Sequence, residues 1–349
     1  MSNKILIEGS LIGNPYTGVY HYALQLGVSF SKIYKKKYDF LYLKRNNNNC
    51  FNAPKPFIQC KYTLYKYIVR HFWKPKIWHL IYHFSDMMPF DSKTKTLLTI
   101  HDLNFTYEPE SGQSFEELQK RIDRADEIVV ISNYVKNDVL KKCKIGGKTL
   151  SVIYNGCNLN EDLINSLSHD RIFEKRFIYT IGVMTRHKNF HILPYLLCNN
   201  DLFLIISGYE RDLSYKKYIL DKAIELGVSE RVIFTGTVSE EDKFKYMRDC
   251  ELFCFPSTTE GFGLPIIEAM RLGKKTLLSR HTVLPEIGGK YAYYLDSDDP
   301  EYLIDFSKSC LPQILEEKAD RDNIISWAKK FSWDDAARKY AEIYNRLLN

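Results

Sequence analysis

Residues 252–270 read LFCFPSTTEGFGLPIIEAM, which is an apolar run, then a glycine turn, then an apolar stretch that opens near a proline. The run at 252–257 predicts a buried strand, and Pro265 is typical of the first position of a helix. A helix that starts directly after a glycine turn exposes backbone N–H groups at its N-terminus, where anions bind. This stretch therefore predicts a strand–loop–helix unit with an anion site at the loop.

Two carboxylates flank the predicted loop. Glu260 precedes the glycines, and Glu268 lies about one turn inside the predicted helix. Carboxylates are good acceptors for sugar and ribose hydroxyls, although most such pairs are an exposed loop glutamate and a glutamate that complements the helix dipole. The dinucleotide fingerprint Gly-x-Gly-x-x-Gly fails here, because Ile266 occupies the place of its third glycine. The loop is therefore not that of a dehydrogenase.

The alternation of strands and helices runs through the whole chain and predicts an α/β fold with parallel sheets. This alternation begins again near residues 156–172, which predicts two Rossmann-like domains. The length of 349 residues also favours two domains. Candidate strands are 4–9, 38–43, 77–83, 96–102, 127–132 and 150–155, then 176–182, 202–208, 232–237, 252–257, 275–280 and 291–296.

Further candidate residues follow other strands, where open α/β sheets bind ligands. The loop after 176–182 carries Arg186, His187 and Lys188, and such cations can neutralise a leaving diphosphate. Gly18 lies between the first strand and a helix, and His101 closes the fourth strand. Taken singly, each has a commoner explanation: a solvated basic loop, a turn glycine or a structural histidine.

The positive charge is concentrated in one part of the chain. The net charge is +6, but residues 1–90 carry 13 Lys and Arg against three acids. The segments 32–45 and 62–76 interleave these cations with aromatic residues, which suits an anionic membrane surface or a nucleic acid. A basic face that serves only solubility is the alternative, and no RNP-like or helix-turn-helix pattern supports a nucleic acid.

The expected compartment is the cytoplasm. The eight cysteines form no Cys-x-x-Cys pair, which favours a reduced environment over a zinc site or disulfide framework. The start MSNKILIEGS is too short an apolar stretch for a signal peptide, and no run approaches the ~18 apolar residues of a spanning helix.

Taken together, these motifs resemble glycosyltransferase family 4, a retaining group with the GT-B fold, in which two Rossmann-like domains face each other across a cleft. The two glutamates eight positions apart carry the resemblance most specifically. The other matching stretches are TGVYHY (17–22), TIHDLNF (99–105), ADEIVVISNYVKNDV (125–139), VSERVIFTGTVSEEDKFKYMRDC (228–250), VLPEIGG (283–289) and FSWDDAARKY (331–340). The resemblance implies an N-terminal acceptor domain at 1–168, a donor domain at 169–331 and a C-terminal helix at 332–349 that crosses back to the N-terminal domain.

The resemblance also implies roles for the residues that match family motifs. One departure concerns the basic loop, where Val183 follows Gly182 although the family often carries Arg or Thr there, so Arg186 is a weaker match than Lys188. The implied catalytic residues are His101 at the donor sugar, Glu260 at its hydroxyls, and Lys188 and Arg186 at the diphosphate. The implied donor-binding residues are Gly18, Phe262, Gly263 and Leu264 around the phosphates and sugar, and Glu268 at the ribose.

The activity that the resemblance implies is transfer, with retention, of a sugar from a nucleotide-diphosphate sugar to a glycan. The acceptor would be a lipid-linked lipopolysaccharide, O-antigen or capsule precursor, reached by docking residues 32–76 on the inner face of the cytoplasmic membrane. No metal or other cofactor is expected, and the pair Asp298-Asp299 is interpreted as a turn. Two alternatives stay open, a GT-B sugar-nucleotide epimerase and a nucleic-acid-binding protein.

Overall fold

The computed structural model describes residues 3–8, 17–34, 37–44, 58–61, 67, 69, 71, 73–85, 87–107, 113–159 and 161–349. The chain divides into two compact units, each with its own sheet. The first unit comprises residues 1–158 and 331–349, and the second unit comprises residues 159–330. The domain boundaries at 168 and 331 stay predictions from the family resemblance.

The first unit is built on a parallel sheet with the strand order β3-β2-β1-β4-β5-β6-β7. The chain reverses its direction of travel across this sheet between the neighbouring strands β1 and β4. Six of the seven strands coincide with predicted runs, and the short β3 was not predicted. The strands are β1 Asn3–Glu8, β2 Tyr38–Lys44, β3 Ile58–Lys61, β4 Ile77–Leu80, β5 Lys95–Ile100, β6 Glu127–Val130 and β7 Thr149–Val152.

Serine caps define where helices of the first unit begin. The Ser114 side chain accepts a hydrogen bond from the backbone N–H of Glu117, and Ser332 accepts one from Asp335, so each satisfies a free N–H of the first turn. Among the described residues, the helices of this unit with defined bounds are α1 Gly18–Tyr34, α2 Phe115–Arg124, α3 Asn133–Lys142 and, at the end of the chain, α11 Trp333–Leu348.

A buried polar network joins α11 to α1 and to the sheet. The Tyr340 hydroxyl lies 2.7 Å from that of Tyr22 and 3.1 Å from Oγ1 of Thr99. The imidazole of His79 bridges Thr99 Oγ1 at 2.8 Å and the Tyr344 hydroxyl at 2.7 Å. Since these buried groups satisfy one another, the network fixes how α11 packs in the first unit.

The second unit contains a six-stranded parallel sheet with the order β10-β9-β8-β11-β12-β13. All six strands coincide with predicted runs, and the prediction of an α/β fold with two parallel sheets is confirmed. The strands are β8 Phe177–Ile181, β9 Phe203–Ser207, β10 Val232–Gly236, β11 Leu252–Phe255, β12 Thr276–Ser279 and β13 Tyr293–Leu295. The helices are α4 Glu161–Ser166, α5 Leu213–Glu225, α6 Glu240–Asp249, α7 Leu264–Arg271, α8 Leu284–Gly288, α9 Pro300–Glu316 and α10 Arg321–Ala328.

Candidate active site

The strand order of the second unit places two predicted loops side by side. The chain builds β8, β9 and β10 towards one edge of the sheet and then returns to place β11 against the free side of β8. At such a switch point the two strand-end loops diverge and leave a crevice for a ligand. Here the loops are the basic loop after β8 and the glycine loop after β11.

Backbone hydrogen bonds hold these loops together. The backbone N–H of Thr258 donates to the carbonyl of His187 at 2.8 Å, which joins the loop after β11 to the loop after β8. The backbone N–H of Glu260 donates to Oγ1 of Thr282 at 3.2 Å, which joins it to the loop after β12. The side chain of Asn189 donates to Asp298 at 2.9 Å. The loops therefore form one hydrogen-bonded layer above the strand ends.

Lys188 and Glu260 form an ion pair within this layer. Their side chains are 15% and 14% exposed, so water screens the pair less than a surface pair. The Lys188 ammonium also lies 5.3 Å from the centroid of the Phe255 ring. The structure thus brings together two predicted catalytic residues, a cation suited to a phosphate and a carboxylate suited to hydroxyl groups.

Gly263 shapes the start of α7 beside this pair. Its φ of 91° lies in the left-handed region, and an added Cβ would lie 2.8 Å from Cδ1 of Ile266. Gly263 has no side chain to cap the helix, Pro265 has no N–H, and the N–H of Ile266 donates to the Gly263 carbonyl at 3.0 Å, which leaves the N–H of Leu264 as the backbone donor for an anion. The Phe262 side chain is buried, which leaves its backbone as the part that a ligand could contact.

The second glutamate of the motif, Glu268, is paired with a lysine that sequence reasoning missed. Glu268 is buried in α7, and both its carboxylate oxygens lie 3.3 Å from Nζ of Lys243 in α6. In the sequence, Lys243 follows Glu240, Glu241 and Asp242 and looks like one more charge on a solvated helix face. Only the packing of α6 beside α7 identifies its partner.

Arg186 lies in the basic loop, but its described contacts are with α5 rather than with the ion pair. Its guanidinium carbon lies 5.3 Å from the ring centroid of Tyr218 and 5.9 Å from that of Tyr215. Stacking on aromatic faces is a common use of arginine. The structure therefore places Arg186 near the site without joining it to Lys188 or Glu260, and its catalytic role stays a prediction.

In the first unit, His101 follows β5 and is held in one orientation. Its Nε2 donates to the backbone carbonyl of Ile81 at 2.7 Å, and the ring of Tyr22 packs edge-on at 4.7 Å between centroids. Because a carbonyl only accepts, Nε2 carries the proton and Nδ1 is an acceptor. Burial lowers the pKa of His101 to about 4, so the ring is neutral at pH 7. Such a ring can accept a hydrogen bond from a hydroxyl group.

Gly18 is the first residue of α1 and is exposed to solvent. An added Cβ there would meet no atom within 4 Å, so the described fold does not itself require a glycine at this position. This observation leaves contact with a ligand as a reason for glycine. The preceding residues 9–16 lie outside the described part of the chain.

The fold and the charged strand-end site define the class of protein. Two parallel α/β units of this kind form the GT-B fold of glycosyltransferases. The solved structure of Alr3699/HepE from Anabaena in complex with UDP and glucose matches 99% of this chain and 100% of its own, with a TM-score of 0.71 and 16% sequence identity.

Sequence comparisons identify the family. Residues 29–161 match the model described as Glycosyltransferase Family 4, and residues 168–331 match Glycosyl transferases group 1. Together the two matches cover most of the chain, which is a glycosyltransferase with a family 4 domain followed by a group 1 domain.

Curated relatives include enzymes of O-antigen synthesis. The serotype-specific mannosyltransferase WbdA of Escherichia coli is 27% identical over 278 residues, which are 73% of this chain and 34% of that protein. The chain thus spans about a third of the length of this relative. The O-antigen chain mannosyltransferase B of Escherichia coli is 25% identical over 76% of this chain and 74% of its own length.

Proposed function

We propose that the chain is a retaining glycosyltransferase that transfers a mannosyl group from a nucleotide-diphosphate sugar to a glycan acceptor. The observation that carries this proposal is the Lys188–Glu260 ion pair beside the uncapped N-terminus of α7. Mannose as the sugar is supported by the names of the relatives, which are mannosyltransferases. The same names support an O-antigen or related lipid-linked precursor as the acceptor.

The proposed reaction needs charge stabilisation rather than a protein nucleophile. The acceptor oxygen forms a bond to the anomeric carbon as the bond from that carbon to the diphosphate oxygen breaks. The acceptor proton passes to the departing phosphate oxygen on the same face, so the anomeric configuration is retained. Lys188 and the Leu264 N–H at the start of α7 would stabilise the negative charge of the diphosphate, while Glu260 would orient the sugar through its hydroxyls.

We propose that no divalent metal takes part. Lys188 and the helix N-terminus supply positive charge at the place where a metal ion would otherwise balance the diphosphate. Excess EDTA should therefore leave the transfer rate unchanged, and a rate that falls on chelation and returns with Mg²⁺ or Mn²⁺ would contradict this part.

The activity is tested by incubating the protein with GDP-, UDP- and dTDP-sugars and a lipid-linked glycan acceptor. Mass spectrometry should detect an acceptor that has gained one hexose, and NMR should show the same anomeric configuration in donor and product. A parallel reaction without acceptor separates the alternatives, because an epimerase would release a free epimer, whereas a transferase would give at most slow hydrolysis. Free epimer, or no sugar transferred from any donor, would refute the proposal.

We further propose that the protein is cytoplasmic and docks on an anionic membrane surface. No helix within the described residues is long and apolar enough to cross a membrane. Only parts of the basic segment 32–76 are described, but its end contributes to a groove of about 720 Å³ in the first unit. The groove is lined by Phe90, Leu347 and Leu348, by four lysines and by one acid, Asp91; the lysines are Lys74, Lys76, Lys93 and Lys95.

This arrangement suits an anionic lipid surface, since each lysine near the surface contributes ~1 kcal/mol and aromatic rings favour the interface. In co-sedimentation at low salt, vesicles with phosphatidylglycerol should retain the protein and pure phosphatidylcholine vesicles should not. Lys74→Ala with Lys93→Ala should weaken binding by ~30-fold, as expected for ~2 kcal/mol. The control is Lys141→Ala with Lys144→Ala, which removes two exposed lysines elsewhere in the same unit. Protein that stays in the supernatant, or equal losses in both variants, would refute membrane docking.

A further inference from the structure

The site contains two glutamate–lysine pairs, Lys188–Glu260 and Lys243–Glu268. The family motifs assign a role to three of these residues but none to Lys243. Its side chain is 13% exposed, and that of Glu268 is 3% exposed. The ammonium lies 3.3 Å from both oxygens of Glu268, but 3.9 Å from the nearest carboxylate of its own helix, Glu240. Lys243 therefore reaches across from α6 to α7 in preference to the usual contact along a helix.

A carboxylate as deeply buried as Glu268 is costly unless a cation or several donors lie beside it. An ionised carboxylate is an acceptor only, with about four lone-pair sites on its two oxygens. An ammonium 3.3 Å from both oxygens of Glu268 uses only part of this acceptor capacity. The contact with Lys243 can thus fix the orientation of the Glu268 carboxylate while the carboxylate accepts a hydrogen bond from a ligand.

We propose that Lys243 is a positioning residue for the nucleotide ribose: it holds the Glu268 carboxylate in the orientation that accepts the ribose hydroxyls. The proposal rests on the proposed function, which places a nucleotide donor at this site. It adds that recognition of the sugar part of the nucleotide depends on a residue of α6 that does not itself contact the ribose.

The experiment compares each nucleoside diphosphate with its 2′,3′-dideoxy counterpart by calorimetry, for GDP, UDP, ADP and CDP. Hydrogen bonds to a charged group contribute about 1.5–3 kcal/mol, so the wild-type protein should prefer the ribose form by tenfold or more. In Lys243→Met, this ratio should fall at least threefold. Lys243→Arg, which keeps a cation, should retain most of the ratio.

Two further variants separate positioning from a merely structural role. Lys245→Met is the matched control, because this lysine lies on the same helix but pairs with Glu241 at 2.6 Å. It should leave the ratio unchanged. In the Glu268→Gln background the ratio should already be low, and adding Lys243→Met should change it no further. Lys243→Gln is prepared in parallel, so that a folded variant without the ammonium is measured even where the methionine fails to fold.

The outcomes distinguish this proposal from the function on which it rests. A wild-type protein that binds none of the four nucleotides refutes a ribonucleotide site and the proposal with it. A wild-type protein that binds them, with a ratio unchanged in folded Lys243→Met or Lys243→Gln, refutes only the role of Lys243. An equal loss of affinity for ribose and dideoxyribose forms would likewise assign Lys243 to packing between α6 and α7.

Discussion

Replacing the two members of the Lys188–Glu260 pair, singly and together, tests the site most directly. Lys188→Met keeps the length of the side chain and removes its charge, and Glu260→Gln keeps the shape and removes the carboxylate. Each single variant should lower kcat by ~10²-fold or more, the scale of losing one preorganised contact to the transition state. If the two residues acted independently, the double variant would lose ~10⁴-fold. Because the two residues act on one donor as a unit, we expect the kcat of the double variant to stay near that of the less active single variant.

The stability of the second unit gives a second, independent readout. Breaking a buried pair costs 3–5 kcal/mol and breaking a surface pair ~0–1 kcal/mol. With side chains 15% and 14% exposed, this pair lies between these limits, and we expect each single variant to lose ~2–3 kcal/mol. The double variant, which leaves no charge unpaired, should recover most of this loss. For a unit of this size the loss corresponds to a Tm lower by ~4–12 °C.

The assay combines single-turnover transfer at saturating donor with thermal unfolding of the same preparations. Lys217→Met is the control, because Lys217 forms an exposed pair with Asp221 along α5 at 2.8 Å. It should cost ~0.3–0.5 kcal/mol and leave kcat unchanged. Wild-type turnover in either single variant would remove the assignment of the site. A fully additive ~10⁴-fold loss in the double variant would show that the two residues act on separate steps.

Two glycines should respond in opposite ways to an added methyl group. Gly263→Ala should lower stability by ~1–2 kcal/mol and weaken nucleotide binding, because φ is positive and the Cβ would meet Ile266. The Gly18→Ala variant should be as stable as the wild-type protein, so reduced turnover in this variant would indicate that Gly18 contacts the donor. His101 should make stability depend on pH: burial lowers its folded pKa to about 4, below the unfolded value, so stability is complete at pH 7 and lost as pH falls. Between pH 7 and 5 His101 should account for a loss of about 2 kcal/mol, to which His79 and His83 add because burial also lowers their pKa values; equal urea midpoints at the two pH values would contradict this.

The fold was largely predictable, because the residue pattern within each segment indicates whether it forms a strand or a helix. The missing strand β3, Ile58–Lys61, is four residues long and pairs only with β2 at the edge of the sheet. Its conformation is set by that pairing rather than by a pattern in its own residues. Caps such as Ser114 and Ser332 act within one turn, so each depends only on residues that are close in the sequence.

The site was less predictable, since it depends on which strands are neighbours. Lys188 and Glu260 are separated in the chain by β9 and β10, and only the placement of β11 beside β8 brings their loops together. The stacking of Arg186 on α5 reflects where a long side chain finds an aromatic partner, which the sequence does not reveal. The pairing of Lys243 with Glu268 was not predicted for a related reason, because the acids nearest to Lys243 in the sequence are not its partner in the structure.

The discontinuity of the first unit has a consequence for synthesis on the ribosome. Tyr340 and Tyr344, which complete the network with Tyr22, Thr99 and His79, are translated only after the entire second unit. Until α11 is synthesised, the nascent first unit therefore exposes the apolar face against which α11 packs, while residues 159–330 can already form their own sheet. A chain that stalls before residue 331 would expose that face, and we expect chaperones or proteases to recognise it.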